Sequence, residues 1–381
     1  MIAPRVFFYV QHLLGIGHLA RASRIAAALV EGGFDVTVVT GGSQVPGFPG
    51  SGVKSISLPP LLAGNAGFSG LVDMDGNTAS EDYLANRRKC LLEAFHESQP
   101  DVVIIEAFPF GRRQMRFELL PLLDAVQAAA PRPRLLTSVR DILQERTKPG
   151  RDSETVSLIK AHFDHVLVHG DPGFVTLPET FPLAKEIEDK IVYTGLVAGP
   201  VPAPCTDVFD IVVSAGGGAV GSDLLRAAHK SASQSGFKGS WCLIAGPNLP
   251  ERDFAALSAE APDYVSVVRF RQDFPSLLRN ARLSISQAGY NTVCDVLRAQ
   301  CRSILVPFTA GGETEQSVRA ARLGALGLAL AVPENGLDAD VLTAAIKAAL
   351  DAPAPEAHAL DLNGAQGTAR LLRNMLQPAR R

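Results

Sequence analysis

Short apolar runs, each followed by a stretch of helical spacing, recur along this chain and narrow its choice of fold more than any other feature. The first, Val6-Phe-Phe-Tyr-Val10, leads through Gly15-Ile-Gly-His18 into a helical pattern carried by Leu19, Ala22, Ile25, Ala26 and Leu29. Gly32-Gly33 then stops the helix, and Phe34 to Val39 forms a second run. A strand with one wet face alternates polar and apolar residues. A run as continuous as Val6 to Val10 belongs to a strand covered on both faces, the habit of parallel sheets sandwiched by helices. Further runs at Val102 to Ile105, Leu135 to Val139 and Val166 to Val168 continue the series. A second series follows at Ile211 to Val213, Trp241 to Ala245, Val265 to Phe270, Leu283 to Ser286, Ile304 to Val306 and Leu328 to Val332.

Between the two series, Tyr193 to Pro204 is broken by Gly and Pro, which suit neither a helix interior nor a central strand. At 381 residues the chain also exceeds the roughly 250–300 at which single cores tend to split. The expected architecture is therefore α/β, with Rossmann-like domains over 1–198 and 199–366. A closing segment, 367–381, has helical apolar spacing (Ala369, Leu371, Leu372, Met375, Leu376) and can pack back on the N-terminal domain. Leu58 to Gly70, with its Pro and Gly, reads as a loop.

Lysine and arginine total 36 against 39 aspartates and glutamates, a formal net charge of −3. That balance argues against a nucleic-acid partner, which calls for a basic surplus. The five cysteines, Cys90, Cys205, Cys242, Cys294 and Cys301, include no Cys-x-x-Cys, so neither a disulfide framework nor a zinc site is expected. A reducing cytoplasm is the simplest location, with the inner membrane face as an alternative. The first apolar run is too short to span a bilayer and is not followed by a small-residue cleavage site.

Three segments of the second series carry candidate chemistry. Gly216, Gly217 and Gly218 follow a predicted strand and precede a helical pattern from Ser222 to Lys230. Bare backbone N–H groups and a helix N-terminus favour an anion there, although a tight turn with close helix packing would use the same glycines. In Ser286-Gln-Ala-Gly-Tyr-Asn-Thr-Val-Cys-Asp295, Gly289 turns the chain, Asn291 or Thr292 can cap the next helix, and Asp295 falls about one turn into it. That carboxylate can accept from the vicinal hydroxyls of a ribose or serve only as a partner of the helix dipole. In Pro307-Phe-Thr-Ala-Gly-Gly-Glu-Thr-Glu-Gln316, a Gly-rich turn presents Glu313, Glu315 and Gln316 ahead of a helix. Such a set binds sugar hydroxyls or merely caps the helix.

In this order, the Gly-rich loop, the run ending at Phe270, Ala-Gly-Tyr-Asn-Thr with Asp295, and Pro-Phe with Glu315-Gln316 resemble the C-terminal domain of glycosyltransferase family 28. Gly15-Ile-Gly-His-Leu-Ala-Arg-Ala-Ser-Arg24, with its helix and the following Gly-Phe-Asp-Val-Thr-Val, resembles the opening of GT-B glycosyltransferases. The resemblance spans both halves and is more specific in the second. It implies a GT-B fold, with two Rossmann-like domains facing a central cleft. It also implies inverting transfer of a sugar from a nucleotide-diphosphate sugar, with a UDP-sugar the first expectation, to a hydroxyl acceptor that is lipid-linked or a saccharide. The roles it implies put Gly216, Gly217 and Gly218 near the diphosphate and Phe270 and Arg271 beside the base. Gly289, Asn291 and Thr292 would line the donor, Asp295 would hold the ribose, and Glu315 with Gln316 would hold the sugar. Gly15, Gly17, Arg112, Arg140 and Asp141 would lie on the acceptor side. Where the family's peptidoglycan enzyme has two glutamines, this chain has Glu315-Gln316. A carboxylate donates no hydrogen bond and repels an acidic sugar, so the donor sugar stays open.

His18 is the first candidate for the base, because neutral imidazole near pH 7 can take a hydroxyl proton, as the matching histidine does in several GT-B families. It could instead cap its own helix or bind a phosphate. Glu106 is the reserve base, equally readable as a structural partner of Arg112, Arg113 or Arg140. His12, His165 and His169 lie near predicted strands without a ligand set and read as structural. Asp73-Met-Asp75 imitates a metal-binding Asp-x-Asp but sits in a polar, Gly-containing stretch that reads as a turn. No metal and no cofactor are expected, the nucleotide sugar being a substrate. Phe108 to Phe117 mixes aromatics with three arginines, a composition suited to an anionic bilayer surface. A packed turn with solvated arginines is the favoured reading. A nicotinamide dehydrogenase would need a full G-x-G-x-x-G and an acid after the second strand, where this chain has Thr40-Gly-Gly. A nucleotide-sugar epimerase or hydrolase of the same fold, and a non-catalytic nucleotide-sugar-binding subunit, remain as alternatives.

Overall fold

The computed structural model describes residues 3–13, 17–64, 70–145, 148–216, 221–234, 236–237, 239–353, 355 and 357–377. The chain divides into two compact units, Met1–Val197 with Asn363–Arg381, and Ala198–Leu362.

The first unit runs β1 (Arg5–Val10), α1 (Gly17–Glu31), β2 (Asp35–Thr40), β3 (Lys54–Ser57), β4 (Leu62–Ala63), β5 (Leu71–Val72) and α2 (Glu81–Ser98). It continues through β6 (Val102–Glu106), α3 (Arg116–Ala128), β7 (Arg134–Arg140), α4 (Arg151–His162), β8 (His165–His169) and β9 (Ile191–Tyr193). Seven strands form one sheet in the order β3-β2-β1-β6-β7-β8-β9, and every neighbouring pair is parallel. Because helices cover both faces, Val6 to Val10 and Val102 to Ile105 are buried throughout. The strand order reverses between β1 and β6. Their outgoing loops therefore part there and leave a crevice at the carboxyl ends, where ligands of open α/β sheets bind.

The second unit repeats the plan with β10 (Ile211–Ser214), α5 (Ser222–Gln234), β11 (Trp241–Ile244), α6 (Glu251–Ala259), β12 (Val265–Val268), α7 (Phe274–Asn280) and β13 (Leu283–Ser286). Then come α8 (Tyr290–Ala299), β14 (Ser303–Leu305), α9 (Glu315–Ala325), β15 (Leu330–Ala331) and α10 (Ala339–Asp351). Its parallel order is β12-β11-β10-β13-β14-β15, reversing between β10 and β13.

The last helix, α11 (Gly364–Leu376), belongs to the first unit and packs on α1. Backbone meets backbone there: a Cβ on Gly364 would overlap the Gly195 carbonyl, and one on Gly367 the Thr194 carbonyl.

Several segments differ from the reading of the sequence, each for a local reason. β3 and β9 were not anticipated; they are the two edges of the first sheet, only partly covered, and lack long apolar runs. Leu58 to Gly70 is not wholly loop, since Leu62–Ala63 pairs antiparallel with Leu71–Val72. The run from Val265 ends as a strand at Val268, which leaves Phe270 in the following loop. Among the described residues, no helix is long and apolar enough to cross a membrane.

Candidate active site

At the reversal of the first sheet, β6 ends in Glu106, and α1 brings His18 and Arg21 beside it. Residues three apart share a helix face, so both side chains reach the same carboxylate. His18 Nδ1 lies 3.0 Å from Glu106 Oε1, and Arg21 Nη2 donates to that same oxygen. Ser138, the register partner of Glu106 on β7, donates its hydroxyl to Oε2 at 2.6 Å. Ala107 then takes φ 63°, a left-handed conformation costing a Cβ-bearing residue on the order of 1 kcal/mol. Its N–H is held by the Ser138 carbonyl at 2.8 Å.

Charge and burial fix the protonation of this cluster. Glu106 is fully buried, which alone would raise its carboxyl. Arg21, the His18 contact and the Ser138 hydroxyl outweigh that and hold it well below the usual carboxylate range. An ionised carboxylate only accepts, so at 3.0 Å His18 donates from Nδ1 and carries its lone pair on Nε2, while Arg21 Nη2, a donor 3.3 Å from that same nitrogen, spends its hydrogen on Glu106 Oε1. Burial pushes the His18 imidazole down to about 4, with the Arg112 and Arg21 charges adding to that and Glu106 opposing it. The ring is thus neutral at pH 7, and a quarter of its side chain is open to solvent. Arg21 could have been suspected from the sequence, since it puts a charge inside the apolar stripe of Leu19, Ala22 and Ile25, three residues from His18.

A second buried network holds the loops around this crevice. Every guanidinium N–H of Arg87 on α2 has an acceptor: Nε and Nη2 donate to Glu118, Nη2 also to Gln11, and Nη1 to the carbonyls of Gly41 and Pro59. Tyr9 donates to Glu118 at 2.5 Å, while Gln11 Nε2 holds the carbonyls of His12, Gly41 and Leu61. Gly41 and Gly42 leave no room for a Cβ beside Arg87 and His12.

Of the residues expected on the acceptor side, Gly17 opens α1, and Gly15 lies outside the described residues. Asp141 is buried with its carboxylate accepting the Ile142 N–H, and half-buried Arg140 ends β7. Arg112 adopts φ 58°, and its Nε is buried without a hydrogen-bond partner. Burial pulls its pKa down against the opposing Glu106 charge, and the neighbouring Arg140 and Arg21 charges add to the lowering. The reading of Glu106 as a structural partner of Arg112, Arg113 or Arg140 is corrected in part: its ion-pair partners are Arg21 and His18, Arg112 feels its charge without an ion pair to it, and Arg113 pairs instead with Glu154, as does Arg116. With Phe108, Phe110 and Met115 buried, Phe108 to Phe117 is a packed turn. Asp73 likewise sits in a turn, its Oδ1 accepting the N–H groups of Asp75 and Asn77. Among the described residues no group of three or more His, Cys, Asp or Glu is arranged to hold a metal ion.

In the second unit the corresponding reversal gathers Gly216, just past β10, and the start of α8. Gly216 takes φ 76°, and Gly221, at φ 109°, would bring a Cβ within 2.7 Å of Ala215 Cβ. Both positions therefore need glycine; Gly217 and Gly218 lie outside the described residues. Gly289 is the N-cap of α8 with an ordinary φ of −65°, and Asn291 and Thr292 stand inside the first turn. The expectation that one of them caps the helix is corrected accordingly. Asp295 is 8% exposed. Gln287, which no sequence motif singled out, is 6% exposed, and among the described residues its Nε2 has no hydrogen-bond partner. An amide buried at a strand end just ahead of Gly289 was the available signal.

Phe270 is 68% exposed, and Arg271 beside it is clamped by both oxygens of Asp273 at 2.7 Å and by Asp207 at 2.8 Å. Glu315 does not present an open carboxylate. It is 3% exposed and accepts from Arg319 at 2.6 Å, whose other amino group donates to the Ala288 carbonyl. Gln316 Oε1 accepts the Phe308 N–H at 3.1 Å, which leaves its amide nitrogen to donate elsewhere.

Two parallel Rossmann-like units of this order define the GT-B fold. Among solved structures, the calicheamicin glycosyltransferase CalG4 superposes with a TM-score of 0.62 at 17% identity, covering 99% of this chain and 95% of its own. MurG of Acinetobacter baumannii does so at 0.61 and 16%, covering 98% and 100%. At such identities the likeness is one of fold.

Sequence likeness is narrower. Residues 212–371 match the family model of the glycosyltransferase family 28 C-terminal domain. The UDP-N-acetylglucosamine--N-acetylmuramyl-(pentapeptide) pyrophosphoryl-undecaprenol N-acetylglucosamine transferase of Prochlorococcus marinus (strain NATL1A) is 32% identical over 98 residues, 26% of this chain and 28% of that protein. The protein of the same name from Rhodospirillum centenum is 33% identical over 114 residues, 30% and 29% of the two chains. The chain thus matches well under a third of the length of these relatives.

Proposed function

We propose that this protein is a glycosyltransferase that moves a hexosyl group from a nucleotide-diphosphate sugar, a UDP-sugar by preference, to a hydroxyl acceptor by direct displacement with inversion. The observation that carries this reading is the neutral, partly open His18, oriented by a buried ionised Glu106. Such a pair has the form of a general base and its orienting group. His18 Nε2 takes the acceptor proton as its oxygen attacks the anomeric carbon, and Glu106 stabilises the imidazolium that forms. The second unit supplies the donor site: the glycine loop and the N-terminus of α5 face the diphosphate, the unpartnered Gln287 amide donates to a phosphate oxygen, and Asp295 accepts from the ribose. Phe270 stacks on the base, Arg271 flanks it, and Gln316 donates to the sugar. Glu315, neutralised by Arg319, acts there through the loop it braces.

The acceptor is a saccharide or a lipid-linked hydroxyl compound, and peripheral membrane contact is not favoured because Phe108, Phe110 and Met115 are buried and Arg113 and Arg116 are tied to the Glu154 carboxylate they share. The work is cytoplasmic and needs no metal. The test is acceptor-dependent release of UDP from UDP-sugars against a panel of saccharide and lipid-linked alcohols, with the anomeric configuration of the product read by NMR. Inverted product supports the reading. Free sugar or an epimer as sole product would make this a hydrolase or epimerase, and binding without turnover a non-catalytic subunit. With chelator present, turnover is expected to be unchanged; loss restored by magnesium would contradict metal independence.

A further inference from the structure

One fully buried titratable side chain at the crevice has no part in the reaction above: His169, the last residue of β8. Both its ring nitrogens are engaged, Nε2 at 2.9 Å from Ser138 Oγ and Nδ1 at 2.8 Å from Thr194 Oγ1. The directions of these bonds follow from the end that can only accept. Ser138 spends its single proton on Glu106 Oε2, so toward His169 its oxygen is an acceptor and Nε2 must carry the hydrogen. Burial and the Arg21 charge, against an opposing Glu106, hold His169 down at about 3, so the ring is neutral and Nδ1 is bare. Nδ1 then accepts from the Thr194 hydroxyl, whose other acceptors, the carbonyls of Gly195 and Val168, are longer at 3.3 and 3.5 Å. Every donor in the series Thr194, His169, Ser138 points toward Glu106.

We propose that Ser138, His169 and Thr194 are positioning residues that fix the Glu106 carboxylate and, through it, the tautomer and aim of His18. The inference rests on His18 being the base. Arginine and carboxylate favour a two-oxygen embrace, and the terminal torsion of a glutamate turns easily. With Oε2 occupied by Ser138, Arg21 is confined to Oε1, where it shares the oxygen with the His18 N–H. Without that hydroxyl, Arg21 would draw the carboxylate into a bidentate pair and His18 would lose its orienting acceptor. The outer end of the series is fixed as well, because α11 packs through Gly367 directly against the Thr194 carbonyl.

The experiment is nitrogen NMR of histidine-labelled full-length protein at pH 7, in the wild type and in Ser138→Ala, His169→Phe, His169→Gln and Thr194→Val. In the wild type, His169 is expected as the Nε2–H tautomer and His18 as the Nδ1–H tautomer. A cationic or Nδ1–H His169 would overturn the proposal without any variant. Ser138→Ala and His169→Phe should shift His18 toward a tautomer mixture. His169→Gln offers an N–H and an acceptor oxygen in the same order and should restore it. A pure Nδ1–H His18 in folded Ser138→Ala or His169→Phe would refute the series; should neither fold, the same result in the near-isosteric Thr194→Val would do so. These readouts need no turnover, so a protein that shows them but transfers no sugar would refute the transferase reading and leave the positioning series standing. Where transfer is measured, Ser138→Ala should lower kcat by roughly tenfold or more with donor KM unchanged, as a wrongly held tautomer costs rate.

Discussion

A histidine that takes a proton must be neutral beforehand, aimed, and able to bear the charge afterwards, and at His18, the proposed base, different neighbours meet each need. Burial and the nearby arginines keep the ring neutral, the Nδ1 contact aims it, and Glu106 balances the imidazolium. His18→Ala should therefore lower turnover by about 10²- to 10⁴-fold and leave donor affinity, measured by calorimetry, nearly unchanged. The base works only when neutral, so activity is lost as pH falls through its folded pKa. The acid limb of kcat/KM should then centre nearer about 4 than the ordinary 6.5. The same depression has a stability consequence. Between pH 6.5 and about 4 the unfolded chain binds protons at His18 and His169 that the folded chain refuses, so stability falls as pH falls across that window. Near pH 5 unfolding should take up about two protons from these residues, and His169→Gln should remove about one. His18 and Glu106 were legible in the sequence because each stands at the end of a readable strand or turn. Ser138 and His169 were not, since their meaning depends on which strand lies beside which, and Arg21 left only the signal of a charge inside an apolar helix stripe.

At the scale of elements, the central strands were legible because strands buried on both faces must be apolar throughout. The edges β3 and β9 are weakly patterned because one side of each lacks a neighbour. The cap of α8 was misread because hydrogen-bonding residues suited to a cap are the second and third residues of the helix, behind Gly289 and Tyr290. The Arg87 network was invisible, since an arginine on an amphipathic helix ordinarily reads as solvated. Fully enclosed and meeting Glu118, Gln11 and two carbonyls, it joins α2, α3 and the strand-end loops. Arg87→Met should destabilise the first unit by about 3–5 kcal/mol in urea unfolding, because it strands a buried carboxylate. Adding Glu118→Gln should recover part of that loss; an additive further loss would mean the pair is not the source. Gly367→Val should lower the melting temperature markedly by forcing α11 off Thr194, whereas an unchanged value would mean the helix shifts freely.

At the scale of the whole molecule, two Rossmann-like units of matching strand order give a GT-B fold, and the segment most like a family is the one that carries the glycine loop, Asp295 and Gln316. The central claim is that this segment binds a nucleoside diphosphate through those residues. It is tested most directly by calorimetric titration of the wild type and Asp295→Ala with UDP, GDP, ADP, CDP, TDP and NAD. One preferred nucleoside diphosphate, UDP, should bind at one site per chain, with affinity weakened in Asp295→Ala and unchanged in His18→Ala. Binding of NAD alone, of none of them, or of UDP with equal affinity in Asp295→Ala would contradict the account.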